Sequence, residues 1–272
     1  MSKGTCPGGS SKYSRRGIQE IFSSLPSTYE LINHILTLGF DNPVRRYAAR
    51  IAAESNNTGN KKKLWLDVCT GTGEMAYYLS QHARDNALIV ATDFTLPMLH
   101  YARVKRKTSN HFVLANSRRL PFKDNMFDLV TMSFATRNIN TSRPDMVTCF
   151  NEYYRVLKEG GKFINLETSQ PESKEVRGIF HLFIRAFVKP VGASISGSIK
   201  AYAYLSQTIP KFYNAPDLAS ILTSAGFEKV GFRRILGGAA AVHNAVKAQS
   251  FPSNLETTTG QGYATSAVNK SC

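Results

Sequence analysis

Cysteine is scarce in this 272-residue chain, and its four copies are scattered. Positions 6, 69, 149 and 272 form no CxxC pair, so neither a disulfide framework nor a metal site is expected. No apolar run approaches the roughly 20 residues of a transmembrane helix. The first residues also lack the apolar stretch of a secretory signal. These absences predict a cytoplasmic protein in a reducing compartment, at most peripheral on the inner membrane surface.

Acidic residues are few, with 19 against 34 basic ones, which gives a net charge of +15. The excess lies in the flanks, since residues 1–63 and 171–272 each carry +6 whereas 64–170 is nearly balanced. Basic flanks suit nucleic acid or an anionic membrane surface, and equally solubility alone. Charge by itself therefore selects no partner.

Short apolar strands alternate with helical stretches through the middle of the chain. This pattern, from 64–68 to 162–167, predicts an α/β, Rossmann-like fold: a mostly parallel, seven-stranded sheet with helices on both faces. The last two strands, 227–235 and 239–248, suit an antiparallel hairpin at the sheet edge. The expected organisation is a flexible N-terminus (1–16), an N-terminal helical segment (17–55), a Rossmann-like core (56–170), a helical substrate cover (171–215), a final helix and hairpin (216–248) and a disordered tail (249–272).

The stretch LDVCTGTGE, residues 66–74, reads as a strand, a glycine turn and a helix start. Gly71 and Gly73 allow a sharp bend and a close backbone approach to a ligand, and the helix N-terminus offers unpaired N–H groups. Asp67 at the strand end repels phosphate but suits an ammonium group. S-adenosylmethionine (SAM) carries an ammonium group and a sulfonium, and so fits better than a dinucleotide. The alternative is an ordinary strand-to-helix turn.

Polar residues follow three further strands at the same predicted edge, where ligands bind in such sheets. Asp93 ends the second strand and is placed to accept the hydroxyls of an adenosine ribose; the alternative role is an N-cap for the next helix. Asn116 and Ser117 follow the third strand, within reach of an adenine edge. Ser133 lies in the fourth.

At this point the chain resembles a known family over residues 17–247. It is similar to class I SAM-dependent methyltransferases, and specifically to the ubiquinone/menaquinone biosynthesis C-methyltransferases. The stretches that carry the resemblance are LDVCTGTGE (66–74), LPFKDNMFD (120–128), SFATRNI (133–139), YRVLKEGGKF (154–163) and AYAYL (201–205). The resemblance implies methylation of a ring carbon of a polyprenylated quinol, either demethylmenaquinol or the equivalent ubiquinone precursor.

The resemblance also assigns roles to individual residues. It implies that SAM is held by Thr72, Asp93, Asn116, Ser117 and Ser133. It further implies that the quinol is faced by Tyr29, Arg137 and Asn138 as catalytic residues, with Tyr202 and Tyr204 on the covering helices. Arginine stays protonated, so Arg137 would stabilise a phenolate or orient a water rather than act as the base. The alternatives are a salt bridge for Arg137 and a core position for Tyr29.

Other side chains and other functions stay open. His181 and His243 are candidate bases, although a core histidine is the commoner case. Departures from the family pattern, such as Glu30, Ser117 and Ser198, cluster in substrate-side segments. Expected partners are the polyprenyl quinol, an anionic membrane surface under the cover, and a homodimer or a quinone-biosynthesis complex. Nucleic acid is not expected, because no NPPY-like motif is present. The alternatives are an RNA or small-aromatic methyltransferase, or a non-catalytic binding subunit.

Overall fold

The computed structural model describes residues 39–56, 61–83, 86–139, 142–188 and 199–249, together with positions 30, 33, 34 and 37. For residues 199–202 and 204 it describes the backbone alone.

Strands and helices alternate along most of this chain. The strands are β1 (Lys63–Val68), β2 (Ala87–Asp93), β3 (His111–Leu114), β4 (Phe127–Ser133), β5 (Leu157–Thr168), β6 (Glu228–Ile235) and β7 (Ala240–Val246). The helices are α1 (Asp41–Glu54), α2 (Glu74–Ala83), α3 (Leu96–Arg106), α4 (Thr136–Ile139), α5 (Arg143–Val156), α6 (Lys174–Phe183), α7 (Ile199–Thr208) and α8 (Ala215–Ser224). A π-helical turn, Ile184–Val188, prolongs α6.

The seven strands form one sheet in the order β3-β2-β1-β4-β5-β7-β6. Strands β1 to β5 run parallel to one another, and β7 lies antiparallel between β5 and β6. The predicted parallel sheet with a closing hairpin is thus confirmed. The chain winds outward from β1 in both directions, so the carboxyl ends of β1 and β4 flank the switch point, where sheets of this kind bind ligands.

Two hydrophobic cores cover the faces of the sheet, because side chains alternate along each strand. Trp65 of β1 packs with Ala48 of α1 and Leu79 of α2. On the opposite face, Leu66 packs with aromatic residues of α5, such as Phe150, and with apolar residues of α8. This alternation aims Asp67, one residue after Leu66, at the α1–α2 side of the sheet.

Two local expectations prove wrong. The pattern Asn42-Pro43 predicts an N-cap and a first helical residue, yet α1 begins at Asp41 and its N-cap is Phe40. The two glycines at 160–161 predict a stop between a helix and a strand, yet β5 runs through them. The N–H of Gly160 donates to the Lys247 carbonyl at 3.0 Å. Strand pairing with the end of β7 therefore satisfies a backbone that would otherwise form a loop.

Candidate active site

The turn after β1 is built from three residues with left-handed backbone, Cys69, Gly71 and Gly73, whose φ angles are 54°, 56° and 78°. A Cβ on Gly73 would lie 2.9 Å from the Cβ of Ala102 on α3, so glycine there lets α3 pack closely. A Cβ on Gly71 would meet nothing within 4 Å. The first glycine thus bares its backbone to a cavity, and the second serves helix packing.

Asp67 is completely buried at the end of β1 and still forms part of the cavity wall. The hydroxyls of Thr70 and Thr131 donate to its two carboxylate oxygens at 2.6 and 2.7 Å. Thr131 is its register partner on β4. Burial raises the pKa of Asp67 from 3.8 to about 6, and the two hydroxyls and the nearby Arg45 limit that rise. A cationic ligand in the cavity would therefore stabilise the ionised form of Asp67.

Asp93 at the end of β2 ties the glycine turn to the next helix. Its Oδ2 accepts the Gly71 N–H at 2.9 Å, and its Oδ1 accepts the N–H and the hydroxyl of Thr95 at 2.9 and 2.7 Å. The alternative role as N-cap of α3 is wrong, since α3 begins at Leu96 and Thr95 is the cap. Asp93 also borders the cavity, and burial raises the pKa of its carboxyl.

The cavity at this edge has a volume of about 500 Å³. All but one of the predicted cofactor residues border it, and the structure brings these residues together: Asp67, Gly71, Thr72, Asp93, Asn116, Ser117 and Ser133. The exception is Gly73, which was also predicted to bind the cofactor but packs against Ala102 instead. The Oδ1 of Asn116 accepts the N–H of Arg118 at 3.0 Å, which holds that turn. The Ser133 hydroxyl is buried and has no hydrogen-bond partner among the described residues. A ligand oxygen or nitrogen would satisfy it.

The predicted acceptor-side residues are spread more widely. Asn138 borders the cavity, but Arg137 does not. The Arg137 side chain is buried, its Nη1 lying 3.6 Å from Glu167 and 3.3 Å from the Thr168 hydroxyl. Its Nε has no hydrogen-bond partner in the part of the chain that the structure describes. Tyr29 lies outside the described residues, as do the side chains of Tyr202 and Tyr204, whose backbone belongs to α7.

Sequence reasoning missed a chain of ion pairs beside the glycine turn. Arg45 of α1 contacts Glu74 at 2.8 Å and Asp41 at 3.3 Å, and both Arg45 and Glu74 border the cavity. Arg106 lies 3.5 Å from Glu74 and also pairs with Glu30. Glu30, which departs from the family pattern, thus takes part in an ion pair with α3. The only sequence signal was the i,i+4 spacing of Asp41 and Arg45, which is common on helix surfaces.

Neither candidate histidine borders the cavity. His243 is buried on β7, and its Nε2 lies 2.9 Å from the Ala215 carbonyl. Its pKa is lowered by burial, so it behaves as a core histidine. His181 on α6 contacts the side-chain oxygen of Gln170 at 2.7 Å. Cys69 does border the cavity, but burial raises its thiol pKa, so the thiol stays protonated.

Solved structures with a similar fold include SAM-dependent methyltransferases. A SAM-dependent methyltransferase from Thermotoga maritima aligns over 85% of this chain and 99% of its own, with a TM-score of 0.57 and 18% identity. A phosphoethanolamine N-methyltransferase from Haemonchus contortus, in complex with S-adenosylhomocysteine, covers 74% of this chain, which spans 52% of that protein, with a TM-score of 0.51 and 15% identity. At these identities the likeness shows the class I methyltransferase fold.

Curated relatives agree more closely in sequence. A demethylmenaquinone methyltransferase from Lactiplantibacillus plantarum is 32% identical over 85% of this chain and 95% of its own length. A ubiquinone/menaquinone biosynthesis C-methyltransferase from Rickettsia felis is 31% identical over 85% of this chain and 92% of its own. The model of the ubiE/COQ5 methyltransferase family matches residues 10–247. The chain therefore belongs to the ubiE/COQ5 methyltransferase family.

Proposed function

We propose that this chain binds SAM in the cavity beside the glycine turn and methylates a ring carbon of a polyprenylated quinol. The observation that carries this proposal is the cluster of Asp67, Asp93, Ser133 and the open face of Gly71 around one cavity. The names of the relatives supply the acceptor class, since they act on demethylmenaquinone or in ubiquinone/menaquinone biosynthesis. Bound SAM would supply a methyl group activated by its sulfonium.

Unsatisfied groups on the cavity wall support SAM as the cofactor. Asp93 borders the cavity at the end of β2, where a carboxylate fits a ribose hydroxyl. The Ser133 hydroxyl lacks a partner among the described residues and fits a polar atom of the same ligand. The side chains of Asn116 and Ser117, at the end of β3, supply an amide and a hydroxyl suited to an adenine edge. Thr72 belongs to the glycine turn and also borders the cavity.

The amino-acid end of SAM requires an anion and a cation close together, because it carries both a carboxylate and an ammonium group. Asp67 and Arg45 meet this requirement, since both border the cavity and the Arg45 charge acts on the Asp67 carboxyl. Within the described residues, the ion pairs of Arg45 with Asp41 and Glu74 use Nη1, and a ligand carboxylate would add a further partner to the same guanidinium. Arg45 is thus a cofactor residue that the sequence did not single out.

Arg137 and Asn138 are assigned to the acceptor side. A quinol carbon becomes nucleophilic when the neighbouring hydroxyl loses its proton, and the developing phenolate then needs a positive charge nearby. The guanidinium of Arg137 supplies a positive charge, and its Nε, which has no hydrogen-bond partner among the described residues, is a donor suited to the phenolate or to a water that takes the proton. Tyr29, Tyr202 and Tyr204 are assigned to the same side. A homodimer or a quinone-biosynthesis complex stays a prediction.

Methyl transfer tests the proposal directly. We expect calorimetry to detect SAM binding, and labelled SAM to label demethylmenaquinol or the corresponding benzoquinol, with no transfer to RNA. Label in RNA, or in a soluble aromatic acceptor but in neither quinol, would overturn the acceptor assignment. Absence of SAM binding would instead identify a non-catalytic member of the family.

The role of Arg137 requires a paired design, because Arg137→Gln alone leaves Glu167 buried and uncompensated, at a cost of about 3–5 kcal/mol. The double variant with Glu167→Gln keeps the pair neutral and the fold intact. We expect it to bind SAM normally while kcat falls about a hundredfold or more, as when a transition-state donor is removed. The exposed Arg143→Gln is the matched control. If the double variant folds and also keeps the wild-type kcat, Arg137 has a purely structural role.

A further inference from the structure

The outer side of α6 carries large apolar side chains that no described residue covers. Val176, Ile179 and Leu182 follow one another at intervals of three, and they are 44%, 70% and 67% exposed. Phe187, in the π-helical turn, is 52% exposed and stacks on Phe183. No residue of α6 itself is buried. A contiguous apolar surface of this kind marks an interaction site.

A second element extends this surface, which we call the α6 ridge and define as Val176, Ile179, Leu182, Phe187 and Leu236. Leu236 stands in the turn between β6 and β7 and is 43% exposed. The turn lies against the start of α6, since a Cβ on Gly237 would be 3.8 Å from Val176 Cγ1. The ridge is therefore a shared edge of two elements rather than an isolated loose helix.

A cationic cavity opens beside the ridge. It has a volume of about 330 Å³ and is lined by His181, Arg185, Ser206, Gln207, Pro210 and Lys211. Its walls are held together by Gln170, which contacts His181 at 2.7 Å and donates to the Ile209 carbonyl at 2.9 Å. Burial lowers the pKa of His181, and the charges of Arg185 and Arg177 lower it further. Arg177 and His181 of α6 and Arg185 of the π-helical turn thus lie close together.

Carboxylates do little to neutralise this cluster. Glu175 is bonded to Ser173 and interacts with Arg177, and Glu172 is paired with Arg234 at 2.5 Å. In the part of the chain that the structure describes, neither Arg185 nor Lys211 forms an ion pair with a carboxylate. The cavity therefore combines two uncompensated charges with hydroxyl and amide groups, a set suited to phosphate.

We propose that the α6 ridge inserts into the surface of an anionic phospholipid bilayer, with a lipid phosphate held in the cationic cavity by Arg185 and Lys211. Apolar side chains next to basic ones are the pattern of helices that lie in a membrane interface. A free phosphate would leave the ridge uncovered. A symmetric contact between two copies would bring identical cations together. This inference stands on the surface alone, although a polyprenylated acceptor would reach the site from the same bilayer.

Vesicle flotation of the full chain tests the charge component. We expect binding to phosphatidylcholine vesicles that contain phosphatidylglycerol, little binding to phosphatidylcholine alone, and release by high salt. Arg185→Gln with Lys211→Gln should lower the partition constant by about fivefold per charge. The control pair Arg103→Gln with Lys123→Gln removes the same charge from exposed positions elsewhere, and should change binding far less. If both pairs of substitutions lower the partition constant equally, the effect of charge is nonspecific and the proposed phosphate site is wrong.

The apolar component needs its own variants. Ile179→Ser with Leu182→Ser should abolish flotation, whereas Val104→Ser, at a comparably exposed position on α3, should not. Ile179→Trp adds a fluorophore beside the single, buried Trp65, and its emission should shift to the blue on contact with anionic vesicles only. No shift, or a serine variant that changes the oligomeric state instead of flotation, would overturn the proposal. Neither SAM nor acceptor is present, so the outcome is independent of the methyltransferase assignment.

Discussion

Replacing Asp67 by Asn should stabilise the protein and at the same time weaken cofactor binding. Asn is nearly isosteric, and the hydroxyls of Thr70 and Thr131 can each donate or accept, so one can turn to accept from the new amide. The change therefore removes a buried charge while keeping both hydrogen bonds. Most substitutions at buried polar positions do the opposite and destabilise the fold.

The size of the effect follows from the raised pKa of Asp67. A rise from 3.8 to about 6 corresponds to about 3 kcal/mol. Because the folded state holds the Asp67 proton more tightly, the contribution of Asp67 to wild-type stability is full below pH 4 and is lost as the pH rises through 6. Asp67→Asn removes that loss. The variant should therefore gain up to about 3 kcal/mol over the wild type at pH 7, and little at pH 4.

Urea unfolding of both proteins from pH 4 to pH 8 measures this difference, and other titrating groups cancel in it. The exposed Asp124→Asn is the control. Its unfolding free energy should not show the gain over wild type near pH 6 that Asp67→Asn shows. Calorimetry should show wild-type affinity for SAM rising between pH 5 and pH 7 as Asp67 ionises. The Asn variant should bind about tenfold to a hundredfold more weakly, without that dependence. If the variant is less stable than the wild type at pH 7, the buried Asp67 charge does not cost stability. If its affinity for SAM keeps the wild-type pH profile, Asp67 is not the group that binds the ammonium.

Three further substitutions separate ligand binding from stability. Gly71→Ala would place a methyl group towards the cavity at a φ of 56°, so calorimetry should show weaker SAM binding. Gly73→Ala would instead press on Ala102 at 2.9 Å, and thermal unfolding should show a loss of about 1–3 kcal/mol. Ser133→Ala should change stability by less than about 0.5 kcal/mol, because its hydroxyl lacks a partner among the described residues, yet weaken SAM binding up to about tenfold. An unchanged affinity would remove Ser133 from the site.

Most of the cofactor side was predictable because its residues sit at strand ends. Alternating and apolar runs predict strands, and parallel strands bring their carboxyl ends to one edge. Asp67, Asp93 and Ser133 were therefore found by position, and the structure places them around one cavity. The acceptor side follows no such periodic rule. Arg137 lies on α4, four positions after the end of β4, yet its side chain turns inward to Glu167, 30 residues later.

Local sequence patterns are enough to predict the α/β alternation, the glycine turn and the acidic strand ends, because each of these features depends on neighbours a few positions apart. Only the tertiary structure decided that Arg45, Glu74, Arg106 and Glu30 form one chain of ion pairs, since Glu30 and Arg106 are 76 positions apart. It also decided that β5 continues through its two glycines, where β7 offers a pairing partner. Contacts between distant segments depend on how the faces of the sheet and helices meet, and no local pattern encodes that meeting.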